Sequence, residues 1–143
     1  TRLISYKLMP PMLEHVGLIA TLHDFLEQLS KKTQLVFTLT CKQDDLAFTA
    51  SVSYEIFRIV QEFTTNMIKY GNSTHAQIII YGSEKETYIE IIDNGKSFDF
   101  YHAMQNSIGT GLKNINSRVK SINAILLQKT VEVGNHFQIT LKN

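Results

Sequence analysis

The chain has 143 residues, of which 43% are hydrophobic and 19% charged, and its formal net charge is +1. This length suits one domain with its own hydrophobic core, and the composition excludes a disordered or low-complexity chain. The near balance of charge gives no sign of a surface for nucleic acid or for an anionic membrane. The single cysteine, Cys41, excludes an internal disulfide, and the apolar runs fall short of a membrane span.

Two helices and a strand are predicted in the first half of the chain. Apolar residues recur at steps of three and four between positions 13 and 29, which is the spacing of an amphipathic helix. Residues 35–41 are rich in β-forming side chains and predict a strand. A second amphipathic helix is predicted from about residue 53 to residue 70, with a serine cap at its start and Gly71 ending it in the left-handed conformation.

The second half of the chain predicts four strands and a third helix. Turns that contain charged residues or glycine separate the apolar runs there. In chain order the predicted elements are strands at 76–81 and 87–92, a long loop at 98–110 that could contain a helical turn, a helix at 111–122, and a hairpin of strands at 125–133 and 136–141. This order predicts an α+β fold, a two-layer sandwich with helices over one face of a mixed, largely antiparallel sheet.

A row of polar side chains runs beside the apolar stripe of the second helix. Glu62, Asn66 and Lys69 are spaced i, i+4 and i+7, which puts them within roughly 60° of one another around the helix. The amide oxygen could ligate a hydrated Mg²⁺, the carboxylate could orient a water, and the ammonium could offset phosphate charge. The alternative is a solvated helix face with a weak Glu–Lys pair, and the row taken alone favours it.

The strand predicted at 87–92 ends abruptly at Asp93-Asn94-Gly95. A carboxylate at this end of an apolar strand lies at the rim of the core, where it can accept a hydrogen bond from an exocyclic amine such as that of adenine. Gly95 lets a base approach the backbone closely. The alternative is an ordinary Asp-Asn-Gly turn, which is common in proteins.

A short glycine motif, Gly109-Thr110-Gly111-Leu112, precedes the third predicted helix. Glycines that enter a helix expose backbone N–H groups to an anion, with help from the helix dipole. The motif is neither the dinucleotide fingerprint nor a P-loop, because a third glycine and a Gly-Lys-Ser/Thr run are missing. The residues between 97 and 110 could form a lid over a bound nucleotide.

In this order the motifs resemble those of the ATP-binding domain shared by sensor histidine kinases, gyrase, Hsp90 and the MutL mismatch-repair proteins. Among these, the chain is most similar to histidine kinases of the nitrate-sensor type. The similar segments are LMPPMLEHVGLIATLHDFLEQLSKKT (8–33, a linking segment), RIVQEFTTNMIKYGNSTHAQI (58–78, the N box), IEIIDNGKSFD (89–99, the first glycine box) and GTGLKNINSRVKSI (109–122, the second).

The resemblance implies the Bergerat ATP-binding fold, with Mg-ATP between the N-box helix, the lid and the third helix. It implies that Asp93 binds the adenine amine and that Gly95 permits this approach. It implies that Asn66 ligates Mg²⁺ and that Glu62 positions or activates the attacking group.

Further roles are implied for residues around the phosphates. Lys69 and Tyr70 would face the phosphates or the lid. The other implied contacts with the phosphates and the pocket wall are Gly109, Thr110, Gly111 and Leu112.

The chain departs from the family pattern in three ways, one of which is a short lid with a single glycine, Gly109, before Gly111. Tyr70 and Gly71 stand where the family usually has His and Ala. Ser97 stands in the last place of the Asp-x-Gly-x-Gly box. If that last place needs a positive φ, serine costs on the order of 1 kcal/mol there.

The resemblance also predicts what the chain works with. Residues 1–33 would link a missing dimerisation domain to the ATP-binding unit at 34–143, and the phospho-acceptor histidine would lie before Thr1. His23, in a Leu-His-Asp run, follows the Pro-Pro segment and is predicted to be a decoy. The expected partners are the dimerisation and histidine phosphotransfer domain of the same protein and a response regulator. The parent is expected to be a membrane-anchored homodimer, for which the inner membrane is a candidate location, with this chain as a cytoplasmic domain.

Two other functions stay open at this level. One is a different enzyme on the same fold, either a serine kinase of the anti-sigma type or a small ATPase; the Pro-Pro-Met-Leu-Glu segment argues against it. The other is an interaction module that binds no nucleotide, which the serine at position 97 and the short lid would favour.

Overall fold

The computed structural model describes residues 11–42, 48–106 and 111–142. In these residues four helices pack on a five-stranded mixed sheet, which confirms the predicted α+β class. In chain order the elements are α1 (Pro11–Lys32), β1 (Val36–Cys41), α2 (Ala50–Asn66), a π-helical turn (Met67–Gly71), β2 (His75–Gly82), β3 (Glu86–Asp93), α3 (Phe100–Asn106), α4 (Gly111–Ser121), β4 (Ile125–Lys129) and β5 (Asn135–Lys142).

The sheet has the strand order β1-β2-β3-β5-β4. Strand β1 lies parallel to β2, and the other three pairings are antiparallel. The predicted hairpin at the end of the chain is confirmed as the β4–β5 pair. Its first strand ends at Lys129, four residues earlier than the sequence predicts. This topology brings the end of β3 and the start of β5 side by side.

Alternating burial along the strands fixes which face of the sheet carries the core. On β3, Ile89 and Ile91 are buried beneath the helices, and Glu90 between them points to the opposite face. From the helix layer, Ile56, Ile59 and Phe63 of α2 are equally buried. Each such side chain contributes roughly 1.5–3 kcal/mol when it leaves water. The apolar stripe of α2 therefore fixes which of its side chains face the site at the sheet's end.

Both ends of α2 differ from the prediction. The cap is Thr49, whose Oγ1 accepts a hydrogen bond from the Val52 N–H at 3.2 Å, so the predicted serine cap is wrong. At the other end the helix widens into the π-helical turn, and the left-handed residue is Asn72 with φ 51°. Gly71 therefore does not end the helix in that conformation; asparagine tolerates it at modest cost.

The long loop predicted at 98–110 contains a short helix, α3. Its first residue, Phe100, is completely buried, and its ring packs near the rings of Phe63 and Phe137. The Phe100 N–H donates to the Gln128 side-chain oxygen at 2.8 Å. Contacts with distant parts of the chain thus stabilise this helix, which local sequence does not encode.

The N-terminal helix α1 packs on α2 and β1. It is not continuous as predicted, because Gly17 has φ 85° and ψ 176° and breaks the helical path. Only glycine adopts this backbone region readily. Over the ranges that the structure describes, no helix combines the length and apolar character needed to cross a membrane.

Candidate functional site

A cavity of about 550 Å³ opens between the end of α2, the end of β3 and the start of α4. It brings together most of the residues that the sequence singles out. The predicted site residues that line it are Glu62, Asn66, Lys69, Tyr70, Asp93, Gly111 and Leu112. Two more, Gly109 and Thr110, lie outside the described residues. Gly95 is not among the residues that line the cavity; its N–H donates a hydrogen bond to Asp93 Oδ1.

Asp93 is the most buried acidic group of the cavity wall, with 6% of its surface exposed. Its Oδ1 accepts hydrogen bonds from the Ser73 hydroxyl at 3.0 Å and from the Gly95 N–H at 2.8 Å. Its Oδ2 has one long contact, 3.5 Å from the Asn135 side-chain nitrogen. The two oxygens are therefore unequal, and Oδ2 keeps the capacity to accept a hydrogen bond from a ligand.

Asn135 is a site residue that the sequence analysis missed. It is buried at the start of β5, directly opposite Asp93 in the β3–β5 register. Its Nδ2 donates to the carbonyl oxygen of Lys96 at 2.9 Å, and its Oδ1 accepts from the Phe98 N–H at 3.1 Å. One amide thereby joins the carboxylate to the segment that leads into α3. A polar residue directly after a turn glycine was the only signal in the sequence.

Gly134 makes this arrangement possible. It has φ 76°, and a Cβ on it would overlap the carbonyl oxygen of Asp93. Its own carbonyl accepts a hydrogen bond from the Ser97 hydroxyl at 2.7 Å. Within the described chain, Asn72 and Asn123 are the non-glycine residues with positive φ. The backbone cost considered for Ser97 therefore does not arise, and its hydroxyl ties the first glycine box to the β4–β5 turn.

Gly95 has a packing role that the sequence did not reveal. A Cβ at this position would overlap the Ser73 hydroxyl and the carbonyl oxygen of Gly71. The next residue, Lys96, donates its backbone N–H to that same carbonyl at 2.7 Å. The segment after the π-helical turn thus lies directly against the end of β3, and a side chain at Gly95 would separate them.

The opposite wall of the cavity is formed by α2 and α4. A Cβ at Gly111, the first residue of α4, would lie 3.5 Å from Asn66 Oδ1 and 3.6 Å from Glu62 Oε2. The backbone of α4 thus begins next to the amide and the carboxylate that the polar row predicts. Among the described residues no ion pair joins Glu62 to Lys69, so the weak pairing offered as an alternative is absent there.

Two ammonium groups border the same cavity. Lys69 lies on the π-helical turn, and Lys96, which the sequence analysis did not single out, follows the end of β3. Both are exposed, as is Tyr70, which has 71% of its surface accessible. The cavity thus has exposed cations at its mouth and a buried carboxylate in its wall. This suits a ligand with a hydrogen-bond donor at one end and an anionic group at the other.

The oxygen ligands of this wall fit Mg²⁺ in a particular way. Nowhere in residues 11–42, 48–106 and 111–142 do three His, Cys, Asp or Glu side chains form a group that could hold a metal. Asn66 and Glu62 nevertheless present hard oxygen atoms to the cavity. Mg²⁺ usually keeps several waters and takes phosphate oxygens with one or two protein ligands. These two side chains fit an ion of that kind.

In sequence the chain is similar to a sensor histidine kinase. No family model matches the chain. The sensor histidine kinase ComP of Bacillus subtilis is 26% identical over 146 residues, an alignment that covers 99% of this chain and 18% of ComP. The chain therefore spans less than a fifth of this relative.

Comparison with solved structures gives close agreement at low identity. A blue-light activated histidine kinase of Erythrobacter litoralis superposes with a TM-score of 0.72 at 15% identity, over 87% of this chain and 41% of that one. The catalytic domain of histidine kinase ThkA gives 0.66 at 14%, over 87% and 89%. ThkA in complex with the response regulator protein TrrA gives 0.71 at 15%, over 90% and 40%. The chain thus has the fold of the catalytic domain of histidine kinases.

Proposed function

We propose that this chain is the ATP-binding catalytic domain of a sensor histidine kinase. It would bind Mg-ATP and donate the γ-phosphate to a histidine on a dimerisation helix. The observation that supports this most strongly is the pairing of Asp93, with an under-used Oδ2, and Asn66, with a hard oxygen, on opposite walls of one cavity. The matched histidine kinases are consistent with it.

Asp93 is the group that would recognise the base. Asp93 lines the cavity, and its Oδ2 lacks a short hydrogen bond. The 6-amino group of adenine is a donor, whereas the 6-oxo group of guanine is an acceptor and would face the carboxylate without a proton. A buried carboxylate whose Oδ2 has only one long contact would therefore favour adenine over guanine.

The other wall would hold the phosphates. Lys69 and Lys96 line the cavity and would offset phosphate charge. The first N–H groups of α4, from Gly111 onward, would donate to a phosphate at the N-terminus of that helix. Asn66 would ligate Mg²⁺, which when bound would neutralise part of the charge on the transferring phosphate. The side chain of Leu112 would close the wall around the nucleotide.

Transfer itself needs little covalent chemistry from the protein. An imidazole nitrogen of the acceptor would form a bond to the γ-phosphorus while the bond from that phosphorus to the β–γ bridging oxygen breaks, and ADP would leave. Glu62, at the Asn66 end of the cavity, would orient the acceptor imidazole and hold its proton. Catalysis would rest on positioning and charge neutralisation.

The wider assembly follows from the same proposal. Residues 1–33 would link the ATP-binding unit at 34–143 to a dimerisation and histidine phosphotransfer domain. A response regulator would receive the phosphate; ThkA, which has the same fold, forms a complex with the response regulator protein TrrA. The parent would be a membrane-anchored homodimer of the nitrate-sensor type, with this domain in the cytoplasm. His23, which is exposed on α1, would not be the acceptor.

Two measurements test the proposal. Calorimetric titration with Mg-ADP should give submillimolar binding that Asp93→Asn weakens by about tenfold or more, because a hydrogen bond to a charged group is lost. Asp24→Asn, an exposed carboxylate on α1, is the matched control and should bind as the wild type does. Labelled ATP should then transfer phosphate to an added histidine-bearing dimerisation helix of the parent and leave His23 unlabelled.

The other functions predict different results in the same experiments. A serine kinase would label a serine-bearing partner in place of the histidine helix, and an ATPase would release phosphate without labelling either. An interaction module would give no heat with Mg-ADP. Any of these results would contradict the histidine kinase assignment.

A further inference from the structure

We propose that Ser73 is a positioning residue for base recognition in this site. Its hydroxyl holds Oδ1 of Asp93, so that Oδ2 alone is presented to the exocyclic amine of the nucleobase. This inference rests on the proposed nucleotide site and adds a residue to it. Ser73 does not line the cavity wall with Asp93; it acts through that carboxylate.

The carboxylate is held asymmetrically. Oδ1 accepts from the Ser73 hydroxyl at 3.0 Å and the Gly95 N–H at 2.8 Å, whereas the contacts from Asn135 to the two oxygens are 3.4 and 3.5 Å. The second side-chain torsion of aspartate is broad and roughly two-fold. Two short bonds on Oδ1 therefore select one orientation of the carboxyl plane. Of the two side chains that contact Oδ1, Ser73 at 3.0 Å is nearer than Asn135 at 3.4 Å.

The position of the hydroxyl is itself fixed by the local backbone. Asn72, with φ 51°, turns the chain between the π-helical turn and β2 and brings Ser73 against the end of β3. The absence of a side chain at Gly95 leaves the space that the hydroxyl fills. The left-handed conformation of Asn72 and the missing side chain at Gly95 together place the Ser73 hydroxyl against Oδ1 of Asp93.

The segment does not need this hydroxyl to stay docked. The Asn94 side-chain oxygen accepts from the Thr74 N–H at 2.9 Å and from the His75 N–H at 3.0 Å. Its Nδ2 also donates to the Thr74 hydroxyl at 2.8 Å. These bonds hold the start of β2 against β3 independently of Ser73. Ser73→Ala should therefore fold and lose mainly the orientation of Asp93.

The test combines protein variants with a truncated ligand. Wild type, Ser73→Ala and Ser73→Thr are titrated calorimetrically with Mg-ADP and with the Mg complex of purine riboside 5′-diphosphate, which lacks the 6-amino group. Ser73→Ala should weaken Mg-ADP binding by about tenfold and the truncated ligand by less than about twofold. Ser73→Thr keeps the hydroxyl and should restore most of the affinity. Ser51→Ala, exposed on the first turn of α2, is the matched control.

A second comparison uses Asp93→Asn as the background. If Ser73 acts through the carboxylate, Ser73→Ala should cost little further affinity there, because the effects of residues acting as one unit do not add. Equal losses for the two ligands, or full additivity with Asp93→Asn, would overturn the inference and leave the nucleotide site intact. No binding of Mg-ADP by the wild type would overturn the proposed function, and this inference with it.

Discussion

Asn135 lies directly opposite Asp93 across the β3–β5 ladder, and its amide contacts that carboxylate, the Lys96 carbonyl and the Phe98 N–H together. The amide is buried, and its short hydrogen bonds are those to the Lys96 carbonyl and from the Phe98 N–H. A single side chain thus couples the base of the cavity to the segment that enters α3. Stability and site geometry should depend on it jointly.

Asn135→Leu should destabilise the protein by about 2–4 kcal/mol, because the Lys96 carbonyl and the Phe98 N–H lose the buried amide that pairs with both of them. Urea unfolding followed by circular dichroism measures this difference. Gln77→Leu, on an exposed position of β2, is the control and should change the free energy of unfolding by less than about 0.5 kcal/mol. Equal effects of the two substitutions would contradict the role given to Asn135.

Gly134→Ala tests the close approach of the β4–β5 turn to Asp93. The substitution combines a positive φ with overlap on a backbone oxygen, so we expect a loss of at least about 3 kcal/mol in unfolding free energy. Gly17→Ala is a matched comparison, since it shares the positive φ but would meet nothing within 4 Å. A loss at Gly134 no larger than at Gly17 would mean that the turn can move away from Asp93.

Glu90 is buried on the face of the sheet opposite the helices. It accepts hydrogen bonds from Gln138 Nε2 at 2.7 Å and Tyr81 Oη at 2.9 Å, and it contacts His136 and Lys129. Burial alone would raise the pKa of Glu90, but the hydrogen bonds, led by His136, outweigh it and lower that pKa below its ordinary value. The ionised form is therefore favoured in the folded protein.

This direction predicts how stability depends on pH. Because the pKa of Glu90 is lower in the folded state than in the unfolded state, its contribution is present above the unfolded value of about 4.3 and is lost as pH falls through the folded value. Between about pH 6 and about pH 3, the free energy of unfolding should fall more steeply for wild type than for Glu90→Gln. Glu132→Gln, an exposed control, should keep the wild-type slope. Identical slopes for all three proteins would contradict the assignment.

An ion pair fixes α4 on α2. Arg118 Nη1 lies 2.7 Å from Glu55 Oε1, and the Ser121 hydroxyl donates to Glu55 Oε2 at 3.0 Å. Since both charged side chains are about a fifth exposed, the pair should contribute on the order of 1 kcal/mol. A double-mutant cycle of Glu55→Gln and Arg118→Met, read by urea unfolding, should give a coupling energy of that size. A coupling energy of zero would mean that apolar packing alone holds α4.

Local sequence patterns were sufficient to predict the α+β class and most of the helices and strands. The three-and-four spacing of α2, the β-rich run of β1 and the paired runs of β2 and β3 are properties of neighbouring residues, so the sequence reveals them. For the loop that holds α3 the sequence allowed a helical turn but did not place it, because Phe100 is stabilised by rings and by Gln128, which are distant in sequence. The break at Gly17 was also not predicted, because the apolar spacing around it is that of a continuous helix.

The site divides in the same way. Asp93 and Asn66 could be predicted because each stands in a local sequence motif, and both line the cavity. Ser73 and Asn135 reach Asp93 over separations of 20 and 42 residues, and nothing in the spacing announces those contacts. Their roles depend on the strand register, which only the folded structure provides.

The most direct test of the account is a crystal structure of the chain with Mg-ADP. We predict that Asp93 Oδ2 lies within about 3 Å of the adenine amino nitrogen and that Asn66 Oδ1 coordinates the metal at about 2.1 Å. Nucleotide bound elsewhere on the protein, or bound in this cavity with Asp93 and Asn66 both out of contact with it, would contradict the account.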